Sequence, residues 1–187
     1  IHTIDVSDWA MGARPVKAVA TGGRQVRVEP EFGNVYDHFT IDYEYPGGKH
    51  MMSMCRQIAN TANHVGCYIS GTKGEADIYK AVLKDHSGKE LWKFNGEISI
   101  AKAYIQEHTD LVNSIRAGKP INEAEQVAMS TLTAILGREA AYTGKVITHE
   151  EMLASDLDLS PAKYEYGPNP VRPAPLPGDA APAAPGS

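Results

Sequence analysis

His2 and Asp5 stand three residues apart at the head of the chain, a spacing that puts both on one face of a helix. A carboxylate at that distance can fix an imidazole and raise its pKa, as a general acid/base pair requires. An ordinary capping or surface pair has the same spacing, so the pair alone does not define a site. Tyr36-Asp37-His38 offers three more protic side chains, at the mouth of an alternating segment. Strand alternation places Tyr36 and His38 on one face and Asp37 on the other, so their convergence needs a bend. Arg56 lies on the returning strand, across from His38. An Arg and a His on an open sheet face can hold a hydroxylated or carboxylated ligand through charge-assisted hydrogen bonds, although a solvated polar face has the same composition.

The remaining polar residues carry less. His50, His64, His86, His108 and His149 fall at turns, strand ends or helix surfaces without ligand spacing. There is no H-E-x-x-H and no paired Cys/His motif, so no metal site is expected. Neither G-x-G-x-x-G nor G-x-x-x-x-G-K-[ST] occurs, which leaves the chain without a nucleotide-phosphate cradle of a known type. Cys55 and Cys67 form no C-x-x-C and read as small apolar core residues on neighbouring strands. Met51, Met52 and Met54 read as core or subunit contact.

These residues must be held by elements that the periodicity makes legible. Ile1, Ile4, Asp5, Asp8 and Trp9 recur at helical spacing, with Gly12 at a helix C-terminal position before Arg14-Pro15, so residues 1–11 are expected to be helical. Val16, Val19 and Val26 suggest two short strands broken by Thr21-Gly22-Gly23. Phe39, Ile41, Tyr43 and Tyr45 alternate with His38, Thr40, Asp42 and Glu44, a strand with one buried face. Pro46-Gly47-Gly48 turns it back as a hairpin. Strands are expected over 64–70, 75–83 and 90–94. Then Tyr104, Ile105, His108, Leu111, Val112 and Ile115 make one helical stripe ending at Gly118. Asn122/Glu125 and Thr148/Glu151 are capping-box patterns for two further helices, the first stopping near Gly144. The hairpin order implies a large, mostly antiparallel, open-faced sheet with helices on one face, an α+β domain over residues 1–160. Residues 161–187 are rich in proline and alanine and should form an extended or disordered tail.

The totals are those of an ordinary globular domain: 187 residues, 42% hydrophobic and 22% charged. With 18 basic and 23 acidic residues and no basic stripe, no nucleic-acid partner is expected. No apolar run approaches the roughly 18 residues that cross a bilayer, so no membrane partner is expected either. The chain starts inside an ordered element without Met or signal peptide, which reads as truncation, and its start gives no localisation.

Several of these stretches together resemble one family. They are His2-Thr3-Ile4-Asp5-Val6-Ser7-Asp8-Trp9, Pro15-Val16-Lys17-Ala18, Gly22-Gly23-Arg24-Gln25-Val26-Arg27 and Gly33-Asn34-Val35-Tyr36-Asp37-His38. Cys55-Arg56-Gln57, Gly71-Thr72-Lys73-Gly74 and Gly137-Arg138-Glu139-Ala140-Ala141-Tyr142-Thr143-Gly144-Lys145 follow in order. The pattern resembles the C-terminal domain of the Gfo/Idh/MocA oxidoreductases, named for glucose–fructose oxidoreductase and inositol dehydrogenase, and most of all a bacterial branch often exported by the twin-arginine route. The likeness spans roughly residues 1–160.

The resemblance implies a two-domain enzyme whose N-terminal Rossmann domain, absent from this sequence, binds NAD or NADP and carries the family's catalytic Lys. This chain alone would then bind no cofactor and be inactive. His2 matches the His of the family's Asp/Glu-x-x-x-His-x-x-Asp helix and Asp5 its final acid. The resemblance implies that His2 exchanges a proton with a substrate hydroxyl while hydride moves to the nicotinamide. His38 and Arg56 join Asp5 as expected substrate contacts. A sugar or cyclitol substrate and a homodimer or homotetramer formed through the sheet are implied as well. A redox-neutral glycosidase using NAD, and a non-catalytic binding or assembly module, are the alternative readings.

Overall fold

The computed structural model describes residues 1–161, 163–167 and 170–178, and the chain divides into two compact units. The first comprises residues 1–61 and the chain from Gln126 onward; the second is Ala62–Glu125.

The first unit is built on the hairpin. Strand β2 (His38–Tyr45) pairs antiparallel with β1 (Lys17–Gly23) on one side and β3 (Lys49–Arg56) on the other, and β1 also pairs with the two-residue β8 (Ile147–Thr148). The sheet order is β3-β2-β1-β8. The expected alternation holds. Ile41, Tyr43 and Tyr45 are buried while Thr40 is exposed. The turn at Gly47 and Gly48 uses φ of 79° and 69°, values that glycine adopts without strain.

Helices α1 (His2–Met11) and α3 (Ala124–Thr143) lie on the apolar side. The core joins Ala18, Ile41, Tyr43 and Tyr45 to Leu136 and Ala140, with Met11, Phe39, Met51, Ile147 and Met152 packed around them. Helix α1 ends as expected, at Gly12 with φ 62°. The short α4 (His149–Leu153) starts with a full Thr148/Glu151 capping box. The opposite face of the sheet is open. Val19, Met52 and Met54 are exposed there, and a Lys17–Glu44 ion pair and a His50–Asp42 hydrogen bond cross it.

Three expectations for this unit are corrected. Thr21-Gly22-Gly23 does not break a strand; β1 runs through it. A Cβ on Gly22 would come within 2.7 Å of the His38 carbonyl and 3.0 Å of the Tyr36 ring, so the glycines let neighbouring backbone approach. Val26 lies in the loop that follows rather than in a second strand. Cys55 is exposed on the edge strand β3, and only Cys67, in the second unit, is buried.

The second unit holds its own antiparallel sheet in the order β4-β5-β6-β7: Tyr68–Gly71, Gly74–Asp77, Val82–Lys84 and Glu90–Lys93. The single strand expected over 75–83 is two, because the chain turns at Ile78–Ala81, where Ala81 has φ 47°. Helix α2 (Ile100–Arg116) carries the expected stripe and begins at a Ser99 cap, but none of its residues is buried. The antiparallel α+β class is therefore observed, with the strands distributed over two four-stranded sheets.

Residues 163–167 and 170–178 form no helix or strand, but the segment has partners. Tyr36 Oη donates to the Pro175 carbonyl at 2.7 Å, and the Gly178 N–H donates to Thr143 O at 3.1 Å. The rest of the expected tail, at 162, 168–169 and 179–187, lies outside the described residues.

Helix and sheet approach closely at Gly137, where a Cβ would fall 2.1 Å from the Tyr43 hydroxyl and 2.7 Å from Ile41 Cδ1. Gly137→Ala should therefore destabilise the chain by about 1–3 kcal/mol through overpacking, despite alanine's better helix propensity. A urea-unfolding midpoint equal to or above that of the parent would contradict this packing.

Candidate functional site

Two acids fix the first helix. Asp8 faces the core and is 1% exposed. Tyr45 Oη donates to its Oδ1 at 2.6 Å, Thr133 Oγ1 donates to its Oδ2 at 3.1 Å, and the Arg14 guanidinium stands 3.5 Å away. Burial pushes the Asp8 carboxyl up from its ordinary pKa, against the opposing pull of these three partners. Asp5, one turn earlier, accepts from the Ser130 hydroxyl and from Gln126 Nε2 on α3. The Ser130 bond leads in holding its carboxyl below the usual range; burial opposes it, and Gln126, Arg14 and then His2 add to the lowering. Arg14 closes the network by donating to Gln126 Oε1.

His2 is exposed at the helix start. The structure thus keeps His2 and Asp5 within electrostatic reach on α1, while the carboxylate spends its hydrogen bonds on α3. A helix held at two successive turns has a fixed rotation about its axis, which sets the direction in which its first turn is presented.

The other protic cluster is organised by Asp37, 2% exposed. Its Oδ2 accepts the backbone N–H groups of Gln25, Val26 and Arg27 at 2.8, 2.7 and 3.0 Å. Its Oδ1 lies 2.8 Å from His38 Nδ1. Burial alone would raise this carboxyl, but the three backbone donors and the imidazole outweigh it and hold Asp37 well below the carboxylate range. An ionised carboxylate only accepts, so Nδ1 is the protonated ring nitrogen and Nε2 is left for a ligand. The ring lies against Gly23, where a Cβ would come within 3.3 Å of Nε2.

His38 pairs directly with Arg56 in the β2–β3 register and with Gly23 in β1, so the expected juxtaposition of His38 and Arg56 is present. Tyr36 does not join them. It precedes the strand, and its ring meets Tyr142 edge-on at 4.6 Å and Phe39 at 5.6 Å, on the apolar side. The roles of Asp8 and Asp37 escaped the sequence reading. Asp8 lies at the i+3 spacing from Asp5 that marks a shared helix face, but its partners Tyr45, Thr133 and Arg14 are distant in the chain or have no spacing signal. Among the described residues no group of three or more His, Cys, Asp or Glu could hold a metal ion, and no helix is long and apolar enough to cross a membrane.

Residues 1–77, which include α1, the hairpin and the Asp37 loop, match the family model for the GFO/IDH/MocA C-terminal domain. Solved structures of the same fold include scyllo-inositol dehydrogenase from Lactobacillus casei with bound NAD(H) and scyllo-inositol, at 20% identity and TM-score 0.59, covering 80% of this chain and 46% of that one. Myo-inositol 2-dehydrogenase from Lactobacillus plantarum aligns at 18% identity and TM-score 0.58, covering 79% and 46%. Aldose-aldose oxidoreductase from Caulobacter crescentus, complexed with glycerol, aligns at 17% and 0.58, covering 79% and 45%. The chain spans less than half the length of these structures. No curated protein matches it.

The Asp37 geometry has a pH consequence. Its folded pKa is depressed, so its stabilisation is fully present above the unfolded value of about 3.9 and is lost as pH falls below it. Asp37→Asn should lower the unfolding midpoint at pH 7 and flatten the loss of stability below about pH 4. An unchanged acid limb would show that the four donors do not stabilise the ionised form.

Proposed function

We propose that this chain is the substrate-side domain of an NAD(P)-dependent oxidoreductase acting on a sugar, a cyclitol or a derivative of one. The match of residues 1–77 to the GFO/IDH/MocA C-terminal domain carries the reading. Scyllo-inositol and glycerol in two structures of like fold support a polyhydroxylated substrate.

The fit to a dinucleotide is poor within this chain. Both sheets are antiparallel, and the Rossmann cradle needs a parallel βαβ unit ending at a glycine-rich helix N-terminus. NAD or NADP would be held by a separate Rossmann domain, and the cofactor supplies the hydride acceptor. The present chain contributes the proton and the orientation.

His2 is the proton carrier in this proposal. Its imidazole is exposed on a helix whose rotation Asp5 and Asp8 lock, and it takes the hydroxyl proton of a secondary alcohol during oxidation and returns it in the reverse direction. Asp5 serves by holding the helix and, through its charge, by favouring the imidazolium; its hydrogen bonds to Ser130 and Gln126 suit positioning better than direct substrate contact. His38 and Arg56 form the substrate-contact pair. Copies of the chain would associate through the open sheet face, where Val19, Met52 and Met54 are exposed.

In the enzyme carrying its cofactor domain, His2→Ala should lower kcat/KM by roughly 10²–10⁴-fold, the usual contribution of a positioned acid/base. A change within about twofold would remove His2 from the mechanism. Calorimetry of NAD against the 187-residue chain alone should give no saturable heat; saturable binding would place a cofactor site in this domain.

A further inference from the structure

Residues 170–178 read Pro170-Val171-Arg172-Pro173-Ala174-Pro175-Leu176-Pro177-Gly178. Four of these nine residues are prolines, which have no N–H to donate and hold φ near −65°. Such a segment cannot pair as an interior strand. It offers carbonyl groups on a stiff backbone, the features by which proline-rich segments dock on aromatic-lined grooves. The first unit receives it in that way. The Tyr36 ring meets Tyr142 edge-on at 4.6 Å and Phe39 at 5.6 Å, and its hydroxyl donates to the Pro175 carbonyl at 2.7 Å. Tyr36 is buried, and a buried phenol needs a hydrogen-bond partner; Pro175 supplies it. Ala174 and Pro175 are half-buried, whereas Leu176 is exposed, so the contact centres on the Tyr36 hydroxyl. Three residues on, the Gly178 N–H donates to Thr143 O at 3.1 Å. Thr143 closes α3, and the last carbonyls of a helix have no partner within it. Gly144 follows, where a Cβ would fall 2.9 Å from Pro177 Cβ, so the absence of a side chain there admits the segment. The same tyrosine adjoins the Asp37–His38 pair. Gly22 lies against both neighbours, since a Cβ there would meet the Tyr36 ring at 3.0 Å and the His38 carbonyl at 2.7 Å. Displacing Tyr36 therefore disturbs the backbone that carries Asp37 and His38.

We propose that the aromatic cluster of Tyr36, Phe39 and Tyr142 is a docking site for the chain's own proline-rich segment, and that residues 174–178 are a strap whose closure keeps the Asp37–His38 pair oriented. Two hydrogen bonds and a few half-buried side chains hold the strap, so it opens locally while the sheet stays folded. Its opening frees the Tyr36 hydroxyl and the Thr143 carbonyl together, and loosens the entry of β2 at Asp37. The C-terminal segment thereby acts as a conformational switch on the His38 end of the sheet. The switch is a property of the folded chain and stands apart from the redox reading.

The test uses the 187-residue chain, with amide exchange and imidazole resonances followed by NMR. The Gly178 N–H should exchange about tenfold or more slowly than in a free peptide of residues 170–178. Tyr36→Phe keeps the ring and removes the donor, and should cut that protection by about threefold to tenfold. Gly178→Pro lies in the strap, outside the core, and removes the second hydrogen bond. It should shift or broaden the His38 imidazole resonances while leaving the urea-unfolding midpoint in place. Gly178 exchanging at the free-peptide rate in the parent chain would overturn the strap. Protection untouched by Tyr36→Phe would overturn the aromatic cluster as its seat. His38 resonances unchanged by Gly178→Pro would overturn the coupling to the Asp37–His38 pair, and this reading holds even if Tyr36→Phe fails to fold.

Discussion

The carboxylate of Asp8 is the point at which the first unit is tied together. It receives a hydroxyl from β2 through Tyr45, a hydroxyl from α3 through Thr133, and the charge of Arg14 from the turn after α1. A buried carboxylate without these partners would cost several kcal/mol. The three elements are therefore constrained to stay where their donors reach it. Tyr45 cannot donate unless β2 presents its aromatic face to the helices, so the side chain that secures α1 also fixes which face of the hairpin is inside. Asp5 repeats the arrangement one turn earlier with Ser130 and Gln126, and the two anchors together leave His2 on a helix that cannot roll.

A second carboxylate does comparable work at the other end of the sheet. Asp37 continues the strand pairing through its own backbone, its N–H on the Gly23 carbonyl and its carbonyl accepting from the Gln57 N–H. Its side chain gathers the 25–27 loop and His38. Tyr36, one residue before, is drawn the other way into the aromatic group with Phe39 and Tyr142 and holds the C-terminal segment at Pro175. Three consecutive residues thus serve the apolar side, the buried charge and the open face in turn. Gly22 and Gly23 make this possible, since a side chain at either would meet Tyr36 or His38. The two units differ in how much they bury: the first has a core of aromatic and aliphatic side chains, whereas the buried apolar residues of the second are Cys67 and Val82.

Much of this was written in local pattern. The period-two alternation of Phe39 to Tyr45, the Pro-Gly-Gly turn, Gly12 after α1 and the Thr148/Glu151 box are signals whose physics is complete within a few residues, and each element stands where its signal put it. The pairing of His38 with Arg56 was also legible, because the turn length fixes the hairpin register. By contrast, Gly22 and Gly23 read as a strand break because glycine is a breaker in isolation; only the neighbouring strand shows that they are there for close approach. Cys55 read as core because cysteine is usually buried, yet it sits on an edge strand with no further strand beside it in the sheet.

Local pattern was enough for the hairpin, the helices, the antiparallel class and the likeness of residues 1–77 to the GFO/IDH/MocA C-terminal domain, since all of these rest on short-range spacing and on motif order. Tertiary structure alone decided what the acids do. Asp5, Asp8 and Asp37 are indistinguishable as residue types, and their roles follow from donors as much as 125 positions away. A carboxylate's protonation, orientation and use are set by what surrounds it in space, and chain order does not specify that.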